Sequence, residues 1–335
     1  MLKDKNSTSL VDQRKRMDQD DRRWNHDHSI DHCQGGNEDD INLSPTILAS
    51  NPNGTNHHIC SNHHDNNNNN SLSGGDSSDS LISSNHDQLN LDEMLSLACR
   101  QGKQEMVELL LENGARLDCK NKAGNTPLVE ACSQGHADVA KLLLERDTSN
   151  IDIATEWTSD SALTWACTLG NESIVRLLLD RGSDIEHRTK DGCSALMFAA
   201  LAGHAAVVSM LLEQHAAVNV VSDSNHDSPL TFACWKGHDK VVTLLLQYGA
   251  HIEHRTKEGF TPLMFAALGG HLAVAEELLR NGAHVNVPSG SNNDIPLTSA
   301  CWKGHHHIVK LLLNYDSNIE HKTKDGCTPL MLAAR

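Results

Sequence analysis

Histidine and cysteine are the residues whose numbers first invite a chemical reading, with 22 and ten of them in 335 residues. Imidazole and thiolate together hold zinc, and imidazole beside a carboxylate, hydroxyl or thiol serves general-base or nucleophilic catalysis. Spacing argues against both. His136, His204, His238, His271 and His305 each follow a glycine, and His187, His254 and His321 each follow Ile-Glu. Members of either set stand a whole recurring unit apart, and packed helices lie ~8–10 Å apart. Zinc ligands must all reach within ~2.0–2.3 Å of one ion, so equivalent histidines cannot share one. His305-His306-His307 opens a helix and points in different directions. The densest tract of donors, His57-His58-Ile59-Cys60-Ser61-Asn62-His63-His64, lacks a ligand spacing set by a fold, which leaves it at adventitious metal binding. Cys99, Cys132, Cys167, Cys234 and Cys301 each follow an alanine at one position of the unit, the mark of a small apolar slot. No Gly-x-x-x-x-Gly-Lys-Ser/Thr loop, Gly-x-Ser-x-Gly elbow or His-Glu-x-x-His pair occurs, so neither an enzyme nor a cofactor is expected.

The elements that carry these residues recur. Leu95, Leu128, Leu163, Leu196, Leu230, Leu263, Leu297 and Leu330 mark a register with steps of 33, 35, 33, 34, 33, 34 and 33 residues, a period that has to be recognised before any other reading of the fold. In Thr261-Pro262-Leu263-Met264-Phe265-Ala266-Ala267 the threonine can cap a helix and the proline takes its first position, where no amide hydrogen is needed. Gly269-Gly270-His271 ends that helix. A second helix places Val274, Leu278 and Leu279 at three- and four-residue spacing, and Gly282 stops it. Helices this short are unstable alone, so each pair must bury its apolar face on the next pair. The prediction is an all-α solenoid over residues 89–335, with about seven full repeats and a truncated eighth.

Before residue 89 the chain is polar and low in complexity, with an unbroken Asn66–Asn70 run. It buries too little apolar surface to offset the entropy of ordering, so residues 1–88 are expected to be disordered. Arg14-Lys15-Arg16 and Arg22-Arg23 resemble import signals, but aspartates interrupt them and a solvated tail is the plainer reading. The net charge of −16 argues against broad binding of nucleic acid or anionic membrane. No apolar run approaches ~20 residues, and no apolar stretch follows the charged N-terminus. A cytoplasmic chain with reduced cysteines is expected, the nucleus being left open. The chain stops at Ala333-Ala334-Arg335, inside a first helix, which reads as a fragment.

The pattern Gly-x-Thr-Pro-Leu-x-x-Ala-Ala-x-x-Gly-His, then Val-x-x-Leu-Leu, then Gly-Ala-x-Val/Ile-Asn/Glu, resembles the ankyrin repeat over about three quarters of the chain. One departure is regular: Val129, Met197, Thr231, Met264, Thr298 and Met331 replace the histidine that often follows Thr-Pro-Leu. Repeat seven also has Ile295, with no hydroxyl, before Pro296. Alternate repeats match best. Ile185 to Gly192 returns at Ile252 to Gly259 and at Ile319 to Gly326, each 67 residues on. This two-repeat unit resembles the large scaffold proteins that carry many ankyrin repeats and a KH domain. No KH-type Gly-x-x-Gly loop stands in a suitable context here, so no direct nucleic-acid binding is expected of this segment.

The resemblance implies protein partners held by loop tips and first helices. Mapped onto this chain, the loop tips are Arg188, Lys190, Asp191 and Cys193, then Arg255, Lys257, Glu258 and Phe260, then Lys322, Lys324, Asp325 and Cys327. The first helices offer Trp235 with Lys236 and Trp302 with Lys303, whereas Trp165 stands at a core position. Tryptophan and arginine are favoured at interface hot spots, and the basic tips suit a partner with acidic or phosphorylated segments. The resemblance also implies asparaginyl hydroxylation at Asn219 and Asn286, although Ala217 and His284 stand where an acidic residue is usual.

Overall fold

The computed structural model describes residues 78–334, with side chains at Gln88 and from Asn90 onward. They form α1 (Ser78–Gln101), α2 (Gln104–Glu112), α3 (Pro127–Ser133), α4 (Ala137–Arg146), α5 (Ala162–Leu169), α6 (Glu172–Asp180), α7 (Ala195–Ala202) and α8 (Ala205–Glu213). There follow α9 (Pro229–Lys236), α10 (Asp239–Gln247), α11 (Pro262–Gly269), α12 (Leu272–Arg280), α13 (Pro296–Lys303), α14 (His306–Asn314) and α15 (Pro329–Ala333). Odd-numbered helices open a repeat and even-numbered ones close it. Among the described residues there is no strand, only an isolated bridge between Arg188 and Ser194.

The expected capping chemistry sets the helix starts. Thr126, Ser161, Ser194, Ser228, Thr261 and Thr328 accept from the backbone N–H of the third helical residue. Ile295 has no such oxygen. The Thr298 hydroxyl instead accepts from the Ile295 N–H at 2.9 Å, and the isoleucine is fully buried, so apolar burial replaces the cap.

The register leucines show what holds the stack together. Leu95 through Leu297 are each between 0% and 4% exposed, whereas Leu330, with no described helix beyond it, is 79% exposed. Burial of such a side chain stabilises by about 1.5–3 kcal/mol, and here every repeat obtains it from its neighbours. The result is one continuous core along the ribbon. First helices pack on one another more extensively than second helices do.

α1 starts at Ser78 and runs unbroken into the first repeat. Once α1 has nucleated on the core through Leu95 and Cys99, extension adds a hydrogen bond per residue at little cost. Gln88 also donates from Nε2 to the Gly114 carbonyl at 3.0 Å, a polar tie that apolar content does not register. The His57–His64 tract, the Asn66–Asn70 run and the basic spots at 14–16 and 22–23 lie outside the described residues.

Candidate functional site

The loops before the first helices dock on one another to form a hydrogen-bonded ridge. The loop before α7 reaches back to the loop before α5 through Lys190 N–H to the Thr158 carbonyl at 3.0 Å. His187 Nε2–H donates to the Ser159 carbonyl at 2.7 Å, and Lys190 Nζ donates to the Glu156 carbonyl at 3.0 Å. The same residues recur one unit on. Lys257 N–H meets Asn225, His254 meets the His226 carbonyl at 2.6 Å, and Lys257 Nζ meets the carbonyls of Asp223 and Ser224. His321 meets Asn293 in the third unit. The accepting carbonyls belong to Ser159, His226 and Asn293, all with positive φ of 56–58°, and that conformation turns each carbonyl toward the histidine of the next loop.

Arginine links the ridge in the other direction. Arg188 donates to its own loop at Gly192, and to the Val221 carbonyl and the Asp223 carboxylate of the loop that follows. Arg255 donates to the Pro288 carbonyl. Gly259 is required here, because its φ is +79° and a Cβ would stand 2.4 Å from the Gly290 nitrogen. The Arg-Thr-Lys loops at 188–190 and 255–257 therefore grip neighbours on both sides. Lys322 and Lys324, on the last loop, are exposed, and their side chains make no hydrogen bond among the described residues.

The first-helix surface adds aromatic groups beside cations. Lys236 Nζ lies 4.0 Å from the centre of a Trp235 ring, and Lys303 Nζ lies 4.3 Å from that of Trp302, both within cation–π range. The two tryptophans are not equivalent. Trp302 is 38% exposed, while Trp235 is half-buried against Phe232, Met197 and the main core. Trp165 packs on the core, where its place in the repeat put it.

Two loop-tip positions need correcting. Phe260 is only 8% exposed, its ring 5.7 Å from that of Phe265. Cys193 is 1% exposed in a small cluster with Met197, Leu201 and Phe232. Both side chains fold under the loop into the stack and form no part of its outer surface. Asn219 and Asn286 are held at both ends of the amide. Asn219 accepts from His251 N–H at 2.8 Å and donates to the Gly249 carbonyl at 3.0 Å. Asn286 accepts from Asn318 N–H at 2.8 Å and donates to the Asp316 carbonyl at 3.3 Å.

Sequence reasoning missed three surface residues. Trp157, 64% exposed, stands on the loop before α5, and the signal was its place at the tip of that loop. Lys120 and Lys122 occupy the loop before α3, 68 residues before Arg188 and Lys190. Applying the two-repeat register one unit further upstream would have found them.

Several carboxylates lie deeper in the ridge than the cations, although Glu156, Asp223 and Asp325 are exposed. Asp160 and Asp227 are buried, and Asp191 and Glu258 are half-buried. Desolvation raises the pKa values of Asp191, Asp227 and Glu258, and for Glu258, with Asp227 beside it, to about 7. The Gly-His histidines staple the helix layer. His136, His204, His238, His271 and His305 each donate from Nε2 to a carbonyl at the end of the preceding first helix, at 2.9–3.1 Å. Burial lowers the pKa of His238 and His271 and favours the neutral tautomer that makes this bond. Among the described residues no three His, Cys, Asp or Glu side chains gather in a metal-binding group. The eight described cysteines are free thiols, six of them buried. No helix among them is long and apolar enough to cross a membrane.

Comparison with known proteins agrees with this architecture. The family described as "Ankyrin repeats (3 copies)" matches residues 47–156, 95–189, 163–256, 218–289 and 263–335. The Caenorhabditis elegans "Ankyrin repeat and KH domain-containing protein mask-1" is 35% identical over 143 residues, 43% of this chain and 5% of that protein. The human "Ankyrin repeat and KH domain-containing protein 1" is 36% identical over 105 residues, 31% of this chain and 4% of that protein. The Arabidopsis thaliana "E3 ubiquitin-protein ligase XBAT33" is 44% identical over 54 residues, 16% of this chain and 10% of that protein. The chain thus aligns with a small part of each of these relatives, and the shared part is the repeats. A stack of capped helix pairs joined by docked loops, matched by one family along most of its length, belongs to the ankyrin-repeat family.

Proposed function

We propose that this chain is a protein-binding scaffold that holds partners on the loop ridge and the adjoining first-helix face, inside the cell. The observation that carries this reading is the Trp302–Lys303 pair, an indole 38% exposed with an ammonium over its face. Large exposed aromatic area beside a cation is costly to leave in water and useful at an interface. The basic loop tips favour partners with acidic or phosphorylated segments. The test is a comparative pull-down with the whole chain and with Trp302→Ala and Trp235→Ala variants, read by mass spectrometry. A defined protein should be captured by the parent and lost with Trp302→Ala, while the helical circular dichroism signal is unchanged. Undiminished capture by both variants would refute the reading.

The repeated Ile-Glu-His-Arg/Lys-Thr-Lys unit, together with relatives whose names include a KH domain, favours a second reading. In it these repeats are the docking part of a longer RNA-associated regulator. The full-length transcript decides between them, since the second reading needs a KH-coding segment in the same message.

A further inference from the structure

The ridge carries its positive charge at every second loop. The tips of the loops before α3, α7, α11 and α15 each present a pair of cations, from Lys120 and Lys122 to Lys322 and Lys324, and the loops before α5, α9 and α13 contain neither lysine nor arginine. Lys190 and Lys257 donate to backbone carbonyls, which fix the ammonium groups without cancelling their charge. Lys122 pairs with Glu93 at 3.1 Å and Arg188 with Asp223 at 3.3 Å, and both pairs are solvent-exposed and weak. All eight of these cations are exposed, whereas Asp160 and Asp227 are buried and Asp191, Glu258 and Asp294 half-buried; with Glu156, Asp223 and Asp325 the exposed carboxylates among them, the exposed tips carry an excess of positive charge in a chain whose net charge is −16. Trp157 sits between the first two pairs. Glu156, next to it, donates from its N–H to the Gly124 carbonyl and accepts from Lys190 Nζ.

Packed helices are ~8–10 Å apart, so pairs two repeats apart stand roughly 16–20 Å from one another. An extended chain advances about 3.3 Å per residue and covers that distance in roughly five to six residues. We propose that the ridge binds one extended acidic peptide whose acidic clusters recur every five to six residues to meet successive cation pairs, with an apolar residue between the first two clusters seated on Trp157. This rests on the protein-binding reading and adds the chemistry and spacing of the partner. A nucleic-acid strand fits less well, because its continuous phosphate charge would also lie over the carboxylates between the pairs, Glu156 and Asp223 exposed among them.

The test measures fluorescence anisotropy of labelled peptides of about 20 residues against the whole chain. Their acidic clusters are spaced by three, six or nine residues at equal net charge, with an oligouridylate as the competing polyanion. The six-spaced peptide should bind about tenfold tighter than the others and weaken as salt rises. Lys120→Glu with Lys324→Glu, whose ammonium groups make no hydrogen bond among the described residues, should cost about tenfold with the melting midpoint unchanged. Trp157→Ala should cost a similar factor. Equal affinity at all spacings, or tighter binding of the oligonucleotide, would overturn the proposal. If acidic peptides fail to bind while a protein partner is still captured through Trp302, the ridge assignment falls and the scaffold reading stands.

Discussion

Glu258 is the ridge carboxylate whose surroundings least suit a charge. Its Oε2 is buried with no hydrogen-bond partner in the structure, and Asp227 adds like charge. With its pKa raised from 4.5 to about 7, the folded state binds more protons than the unfolded state between those values. The stability Glu258 contributes is therefore complete below pH 4.5 and lost as pH rises through 7. Glu258→Gln should raise the melting midpoint at pH 8, with the gain shrinking toward zero near pH 4.5; a pH-independent difference would show that burial of the charge is not the cause. Sequence placed Glu258 at a loop tip beside Lys257. It held no sign that Asp227, thirty-one residues earlier, would face it, since that contact exists only once the loops dock.

At the scale of the element, each helix is ordinary and its neighbours decide what it contributes. Leu196 and Leu330 hold the same register position, one 1% and the other 79% exposed. Leu196→Ala should destabilise by about 2–5 kcal/mol, whereas Leu330→Ala should fall within about 0.5 kcal/mol, as measured by urea titration. Similar losses at both sites would contradict the neighbour-dependent core. The helix starts were legible residue by residue from Thr-Pro and Ser-Pro, because capping is local chemistry. The two-repeat alternation was also legible, but its cause was not. Sequence places Arg188 and Lys190 at loop tips that would contact a partner, and the structure shows them also as clips to the loops on either side. A cation's preference between a carbonyl and a partner is not written in its own segment.

Across the whole molecule, nearest-neighbour packing implies graded stability. Amide hydrogen exchange should be slowest in α5 through α12, whose repeats have neighbours on both sides, and fastest in α15. Equal protection from α1 to α15 would instead indicate one global unfolding unit. The buried thiols offer an independent reading of the same gradient. Cys132 is buried and its pKa raised to about 12, so its alkylation at pH 8 should wait for unfolding.

Sequence alone determined the solenoid, its period, the caps and the apolar stripe, because each follows from residue preferences that act within one helix pair and then recur. It also placed the tryptophans and basic tips on the loop and first-helix positions. Only tertiary structure decided which of these positions face water. Phe260 and Cys193 turned inward, Trp157 and Trp302 stayed outward, and the histidines became staples between repeats. Those outcomes depend on how neighbouring loops and helices share space and hydrogen-bond partners, and that sharing is settled between repeats about 33 residues apart.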